Sequence, residues 1–168
     1  MGTSIKCFTS KKIELHEQNL KSLLDKTFKN SLSKLKKIES FENNSWQMNN
    51  IEQENKYPEY VSYEGYGFSI NIYEKVICIT SYDRFSSLYL KGNEYADNLN
   101  EIFTEIINEI GDVSKIMFLQ GGYGDEELEN LAYLKKFSFE EISKVQNENQ
   151  GNPARKLTDL FENSWYLK

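Results

Sequence analysis

The chain has 168 residues, of which 39% are hydrophobic and 27% charged, and its net charge is −6. This composition is ordinary for one folded domain, and an aromatic content of 14% excludes a disordered chain. The apolar runs are far shorter than the roughly 18 residues that a membrane-spanning helix needs, and the first residues lack the apolar stretch of a secretion signal. We therefore expect a single domain, residues 1–168, located in the cytoplasm.

The charge is distributed unevenly along the chain. Residues 1–39 contain nine lysines and four acidic residues, a net of plus 5, whereas the remaining 11 basic and 22 acidic residues give a net of minus 11. An acidic main body repels the phosphate backbone, so we expect no nucleic acid as a partner and instead a basic protein.

The N-terminal part is predicted to contain one strand and one long helix. Residues 3–9 have the pattern of a short strand, and residues 16–39 carry apolar side chains at three- and four-residue steps, which predicts an amphipathic helix. Residues 40–58 are rich in Asn, Gln and Glu, and we interpret them as a loop with room for a short strand near Trp46.

An antiparallel meander is predicted next. Apolar and polar residues alternate over 68–73, the period of a half-buried strand, and Glu74 and Lys75 form a short turn. The β-branched run 76–80 is typical of a central strand, and residues 85–90 are expected to form the third strand.

The most regular apolar stripe in the sequence predicts a helix over residues 94–110. Asn93 is suited to cap its start, and Gly111 is suited to end it. A strand is predicted at residues 115–119 and an acidic helix at residues 125–136.

Shorter elements are predicted at the C-terminus. Ser138 and Glu141 have the spacing of a capping box, so we expect a helix to about Val145, followed by a polar loop, a short helix at 155–161 and a strand at 164–167. The order of all elements predicts an α+β fold, with an antiparallel sheet of about four to six strands packed by two main amphipathic helices and by shorter C-terminal helices.

The sequence contains no recognisable motif for catalysis, a cofactor or a metal. The single histidine, His16, and the two cysteines, Cys7 and Cys78, are not spaced as a zinc site or a nucleophile and its base. The glycine cluster at 121–124 lacks the Gly-Lys-Ser/Thr ending of a phosphate-binding loop, and acidic residues follow where an anion would bind. We therefore expect no catalytic residue, cofactor or metal, and buried thiols at both cysteines.

Two groups of residues are candidates for binding a partner. The tyrosines before the sheet recur every three residues and suit a protein interface, or they flank the sheet and cover the edge of the core. The carboxylates at the start of the acidic helix either steer a basic partner or cap the helix and keep the chain soluble. The candidate partner-binding residues are Tyr57, Tyr60, Tyr63, Tyr66, Asp125, Glu126, Glu127 and Glu129.

In this general profile the chain resembles bacterial immunity proteins, which are small, acidic, aromatic-rich, single-domain proteins without catalytic motifs. The resemblance implies a non-catalytic protein that neutralises a cognate toxin by covering its active site or substrate surface. Two alternatives remain open: a transferase or hydrolase with a carboxylate-based site that lacks a motif, and an adaptor that self-associates through the tyrosines. The identity of the partner and the oligomeric state stay open as well.

Overall fold

A seven-stranded antiparallel sheet with helices on both faces forms the described part of the computed structural model. The structure describes residues 4–12, 26, 47–51, 60–65, 68–81, 93–122, 124–160 and 164–168. Within these ranges, none of the helices combines the length and the apolar character that crossing a membrane requires.

Strands and helices follow one another along the chain with few long connections in its second half. The strands are β1 (Ile5–Lys11), β2 (Gln47–Ile51), β3 (Tyr60–Gly65), β4 (Phe68–Ile72), β5 (Val76–Ser81), β6 (Gly111–Gln120) and β7 (Trp165–Leu167). The helices are α1 (Asn93–Ile110), α2 (Asp125–Leu134) and α3 (Phe139–Gln150), and a 3-10 turn occupies Leu157–Asp159.

The strands lie in the order β2-β3-β4-β5-β1-β6-β7, and every neighbouring pair is antiparallel. The N-terminal strand β1 therefore lies inside the sheet, between β5 and β6. The predicted α+β class with an antiparallel sheet is confirmed. The sheet is wider than the expected four to six strands partly because β3 falls in the tyrosine-rich segment that was not predicted to be a strand.

The sheet has a separate apolar core on each face, because successive side chains of a strand point to opposite sides. Cys7 belongs to the core beneath α1, whereas its neighbour Phe8 belongs to the core beneath α2 and α3. In the core beneath α1, the ring of Phe103 makes edge-to-face contacts with Phe68 and Phe118, with ring centroids 5.6 and 5.1 Å apart. The fold thus has three layers: α1, the sheet, and the α2–α3 pair.

Helix α1 confirms the predicted helix to within one residue. Its apolar stripe is fully buried against the sheet: Leu99, Ile102, Phe103, Ile106, Ile107 and Ile110. Gly111 ends the helix as predicted and is at once the first residue of β6, which is longer than the predicted strand. A Cβ atom at Gly111 would lie 2.6 Å from Thr9 Cγ2, so this close approach requires glycine.

Helix α3 begins with the predicted capping box. The Glu141 backbone N–H donates to Ser138 Oγ at 3.3 Å, and the Ser138 backbone N–H donates to Glu141 Oε2 at 2.7 Å. The prediction that this helix ends near Val145 is wrong. The polar residues that suggested a loop form its mostly exposed last turn, and Gly151, with a φ of 77°, ends it.

The C-terminal elements are shorter than predicted. The helix expected at 155–161 is reduced to the 3-10 turn at Leu157–Asp159, and the expected strand at 164–167 is β7. Several predictions lie outside the described residues: the strand at 85–90, Trp46, and the helix at 16–39 apart from Lys26, which is helical.

Candidate functional site

Lys6 lies on β1, an inner strand of the sheet, on the face covered by α2. Its ammonium Nζ is 2.6 Å from Glu129 Oε2 and 3.0 Å from Asp125 Oδ2. The exposed fractions of these side chains are 14% for Lys6, 18% for Glu129 and 9% for Asp125. The two carboxylates share one face of α2 because they are four residues apart. Lys6 of β1 is therefore bound by two carboxylates from adjacent turns of α2.

The second oxygen of Glu129 extends these contacts across the sheet. Glu129 Oε1 accepts hydrogen bonds from Asn71 Nδ2 at 3.1 Å and from the Tyr73 hydroxyl at 3.0 Å. Ser62 Oγ of β3 donates to Asn71 Oδ1 at 2.7 Å. We refer to the following residues as the Lys6 network: Lys6, Ser62, Asn71, Tyr73, Asp125 and Glu129.

The charged state of the network follows from its surroundings. Burial alone would raise the pKa of Asp125, but hydrogen bonds from Lys6 and from the Gly122 backbone N–H outweigh it and hold the pKa below its usual value. Burial would likewise lower the pKa of Lys6, but attraction to Glu129 and hydrogen bonds to Glu129 and Asp125 raise it above its usual value. At neutral pH Lys6 is a cation and Asp125 an anion, so neither is poised to exchange a proton.

Both cysteines are free and fully buried, as predicted. Burial raises the pKa of the Cys7 and Cys78 thiols well above the usual value, and for Cys78 the nearby Glu129 adds to this effect. A thiol in this state is protonated and is not a nucleophile. Across the described ranges, no group of three or more His, Cys, Asp and Glu side chains is arranged to hold a metal ion.

The glycine loop before α2 makes hydrogen bonds within the chain. The Gly121 N–H donates to the Ser4 carbonyl at 2.9 Å, and the Gly122 N–H donates to Asp125 Oδ1 at 2.7 Å. These donors are therefore used internally, and Asp125 occupies the helix N-terminus where an external anion would bind. The loop fixes the start of α2.

A second, exposed acidic group lies on the same turn of α2. Glu126 and Glu127 are exposed, and Glu127 Oε2 accepts a hydrogen bond from Asn149 Nδ2 at the end of α3 at 3.2 Å. Helix α2 contains four acidic residues and no basic one. We refer to Glu126, Glu127 and Asn149 as the acidic edge.

The structure divides the four predicted carboxylates into two pairs. Asp125 and Glu129 belong to the Lys6 network and are mostly buried, whereas Glu126 and Glu127 belong to the acidic edge and face solvent. The reason is helical geometry, because residues four apart share a face and the residues between them are rotated by about 100° per position.

The described residues include two of the four predicted tyrosines. Tyr60 and Tyr63 are positions of β3, and an odd spacing along a strand places two positions on opposite faces of the sheet. Tyr57 and Tyr66 lie outside the described residues. The interface predicted for this tyrosine series stays a prediction.

Two features of the described residues were not predicted from the sequence. The sequence marks Lys6 as one of nine lysines of the basic N-terminal segment, and its position in β1, two residues from the buried Phe8, places both residues on one face of the sheet. Helix α1 carries five acidic residues and no basic one, with Asp97, Glu101 and Glu109 among them, on the face of the sheet opposite to the acidic edge. The acidic character of the chain is thus present on both faces.

Comparisons with protein-family models, with curated proteins and with solved structures gave no match for this chain.

Proposed function

We propose that this chain is a non-catalytic protein that binds a basic protein partner, and that the partner is a toxin whose active site or substrate surface it covers, as immunity proteins do. The observation that carries this proposal is the division of α2 into two sides. Asp125 and Glu129 fix the helix to the sheet through Lys6, while Glu126 and Glu127 face solvent from the same helix.

The acidic edge suits a basic partner for two physical reasons. Exposed carboxylates that are not matched by basic residues in the same helix attract positive charge and accelerate the encounter with a basic protein. A helix that is already fixed in place loses little conformational freedom when the partner binds, so less of the interaction free energy is lost to ordering.

The states of the buried groups support a binding role over the alternative of a carboxylate-based enzyme. Asp125, with its lowered pKa, is paired with Lys6, and the thiols of Cys7 and Cys78 are held protonated by burial. General acid–base catalysis at neutral pH requires a group whose pKa lies near the working pH. These three groups lie far from that condition.

The test uses the protein encoded by the reading frame adjacent to the gene of this chain as the toxin. The two purified proteins are mixed, and the association rate is followed by stopped-flow fluorescence while the salt concentration is raised. We expect a one-to-one complex, loss of the toxin's activity in the complex, and an association rate that falls by about tenfold or more as salt screens the charges.

Variants that neutralise exposed carboxylates test which surface of the chain binds the toxin. E126Q/E127Q should slow association by roughly three- to tenfold. D97N/E109Q removes the same charge from exposed positions of α1 on the opposite face and should leave the rate close to that of the parent protein. Equal slowing by both double variants would show that the acidic edge is not the binding surface, and a toxin that stays active with the chain in excess would contradict the proposed function.

A further inference from the structure

Helix α2 has few fully buried apolar side chains with which to hold itself on the sheet. It is ten residues long, its fully buried apolar residues are Leu128 and Ala132, and the partly buried Tyr133 packs against the same core. Helices of this length are marginal in water and depend on tertiary contacts. Burial of one leucine contributes roughly 1.5–3 kcal/mol, and an alanine contributes much less.

The start of α2 also lacks the usual side-chain cap. Gly124 stands at the N-cap with a φ of 82° and offers no side-chain hydrogen bond. Asp125, one residue later, instead accepts hydrogen bonds from the Gly122 N–H and from Lys6. The first turn of the helix is therefore held through Asp125.

We propose that Lys6 is the positioning residue of the acidic edge: its ammonium binds Asp125 and Glu129 on the inner side of α2 and so fixes where Glu126 and Glu127 stand on the outer side. The effect of Lys6 on partner binding rests on the proposed function. The effect of Lys6 on the position of α2 is independent of the proposed function.

Charge is the property of Lys6 that matters for this role. Without the ammonium, two mostly buried carboxylates would lie near each other without their shared counter-ion, which costs far more than the loss of a surface ion pair. The first two turns of α2 would then separate from β1. An arginine at this position would keep the charge and could bind both carboxylates, because a guanidinium carries several donors in one plane.

The first experiment needs no partner. Amide hydrogen exchange of α2 is measured by mass spectrometry in the parent protein, K6M and K6R, with peptides from β6 as the internal reference. In K6M we expect exchange in α2 to be faster by roughly 10- to 100-fold while β6 is unchanged, and in K6R we expect α2 to exchange within about threefold of the parent rate. If Lys6 acted only by packing, methionine would protect α2 at least as well as arginine.

E129Q covers the case in which K6M unfolds the whole chain. Glutamine keeps an oxygen that can accept from Asn71 and Tyr73 but removes the charge that binds Lys6, so α2 should again exchange faster than in the parent protein while β6 is unchanged. Unchanged exchange of α2 in E129Q, or equal exchange of α2 in K6M and K6R, would overturn the proposal.

The second experiment repeats the toxin association with the Lys6 variants. K6M should slow association about as much as E126Q/E127Q does, and K6R should restore the parent rate. If the toxin stays active with the chain in excess, the proposed function fails while the exchange result stands, and if E126Q/E127Q associates at the parent rate, the acidic edge is not the binding surface. If α2 loosens in K6M and association is nevertheless unchanged, the positioning of the acidic edge by Lys6 is contradicted while binding itself is not.

Discussion

Lys6 and Glu129 lie 123 positions apart in the chain and meet at 2.6 Å between Nζ and Oε2. Their side chains are 14% and 18% exposed, so most of this pair is removed from water. An ion pair on the surface contributes between zero and about 1 kcal/mol, whereas removal of one partner from a buried pair is strongly destabilising because the other charge is left without its counter-ion. The contact therefore binds β1, an inner strand of the sheet, to a helix from the C-terminal third of the chain.

Substitution E129A should lower the free energy of unfolding by roughly 2–4 kcal/mol. The alanine removes the acceptor of Lys6, Asn71 and Tyr73 at once. Urea unfolding followed by circular dichroism measures the change. The matched control is E126A, an exposed position of the same helix, which should change stability by no more than about 0.5 kcal/mol. Similar values for the two variants would mean that the contacts of Glu129 contribute little.

Stability should fall in acid, and Asp125 should account for part of the fall. Burial acts to raise the pKa of Asp125, yet hydrogen bonds from Lys6 and the Gly122 N–H hold it below its usual value of 3.8. A carboxyl group with a depressed pKa in the folded state contributes stability that is present above pH 3.8 and is lost as the pH falls through the folded-state pKa.

The variant D125N isolates this contribution because asparagine does not titrate. Its free energy of unfolding should be lower than that of the parent protein at pH 7 and should change less between about pH 5 and pH 2. The control D97N, at an exposed position of α1, should follow the parent curve. If the free energy of unfolding of D125N falls as steeply with pH as that of the parent protein over this range, Asp125 does not contribute to the loss of stability in acid.

Substitution F103A should destabilise the chain by about 3–5 kcal/mol, because it leaves a cavity between two aromatic rings of the core beneath α1. Phe103 is fully buried and contacts the rings of Phe68 and Phe118. Thermal unfolding with calorimetry measures the effect. The control is L134A at the end of α2. Because Leu134 is 49% exposed, this substitution should lower the free energy of unfolding by less than about 1.5 kcal/mol.

Substitution S138A should destabilise the chain by about 1 kcal/mol, since the hydroxyl that accepts from the Glu141 N–H is removed from the N-cap of α3. S138T keeps the hydroxyl and should differ little from the parent protein. The midpoints of urea unfolding distinguish the two variants. If S138T loses as much stability as S138A, the hydroxyl is not the source of the effect.

The parts of the fold that were predicted correctly are those determined by neighbours in sequence. The apolar stripe of α1, the capping box at Ser138 and Glu141, and the turn at Glu74 and Lys75 each follow from residues within a few positions of one another. The end of α3 was placed too early because its last residues are polar, although Gly151 marks the true end.

The Lys6 network could be predicted only in part. The four-residue spacing of Asp125 and Glu129 indicates that they share a face of a helix, and a lysine beside Phe8 in an apolar strand indicates a charge that needs a partner. The contact between Lys6 and these two carboxylates depends on the order of strands in the sheet, which places β1 between β5 and β6. That order is set by long-range packing, so the local pattern could not reveal it.

Helix α1 passes into β6 at Ile110 and Gly111 without an intervening residue. The rotational phase of the helix and the alternation of the strand are therefore coupled: one inserted residue would turn the apolar stripe by about 100° or move every side chain of β6 to the other face. Thr9, packed against Gly111, leaves no room to absorb the change. An insertion or a deletion at this junction would therefore disrupt one of the two elements, so the length of the chain is constrained here.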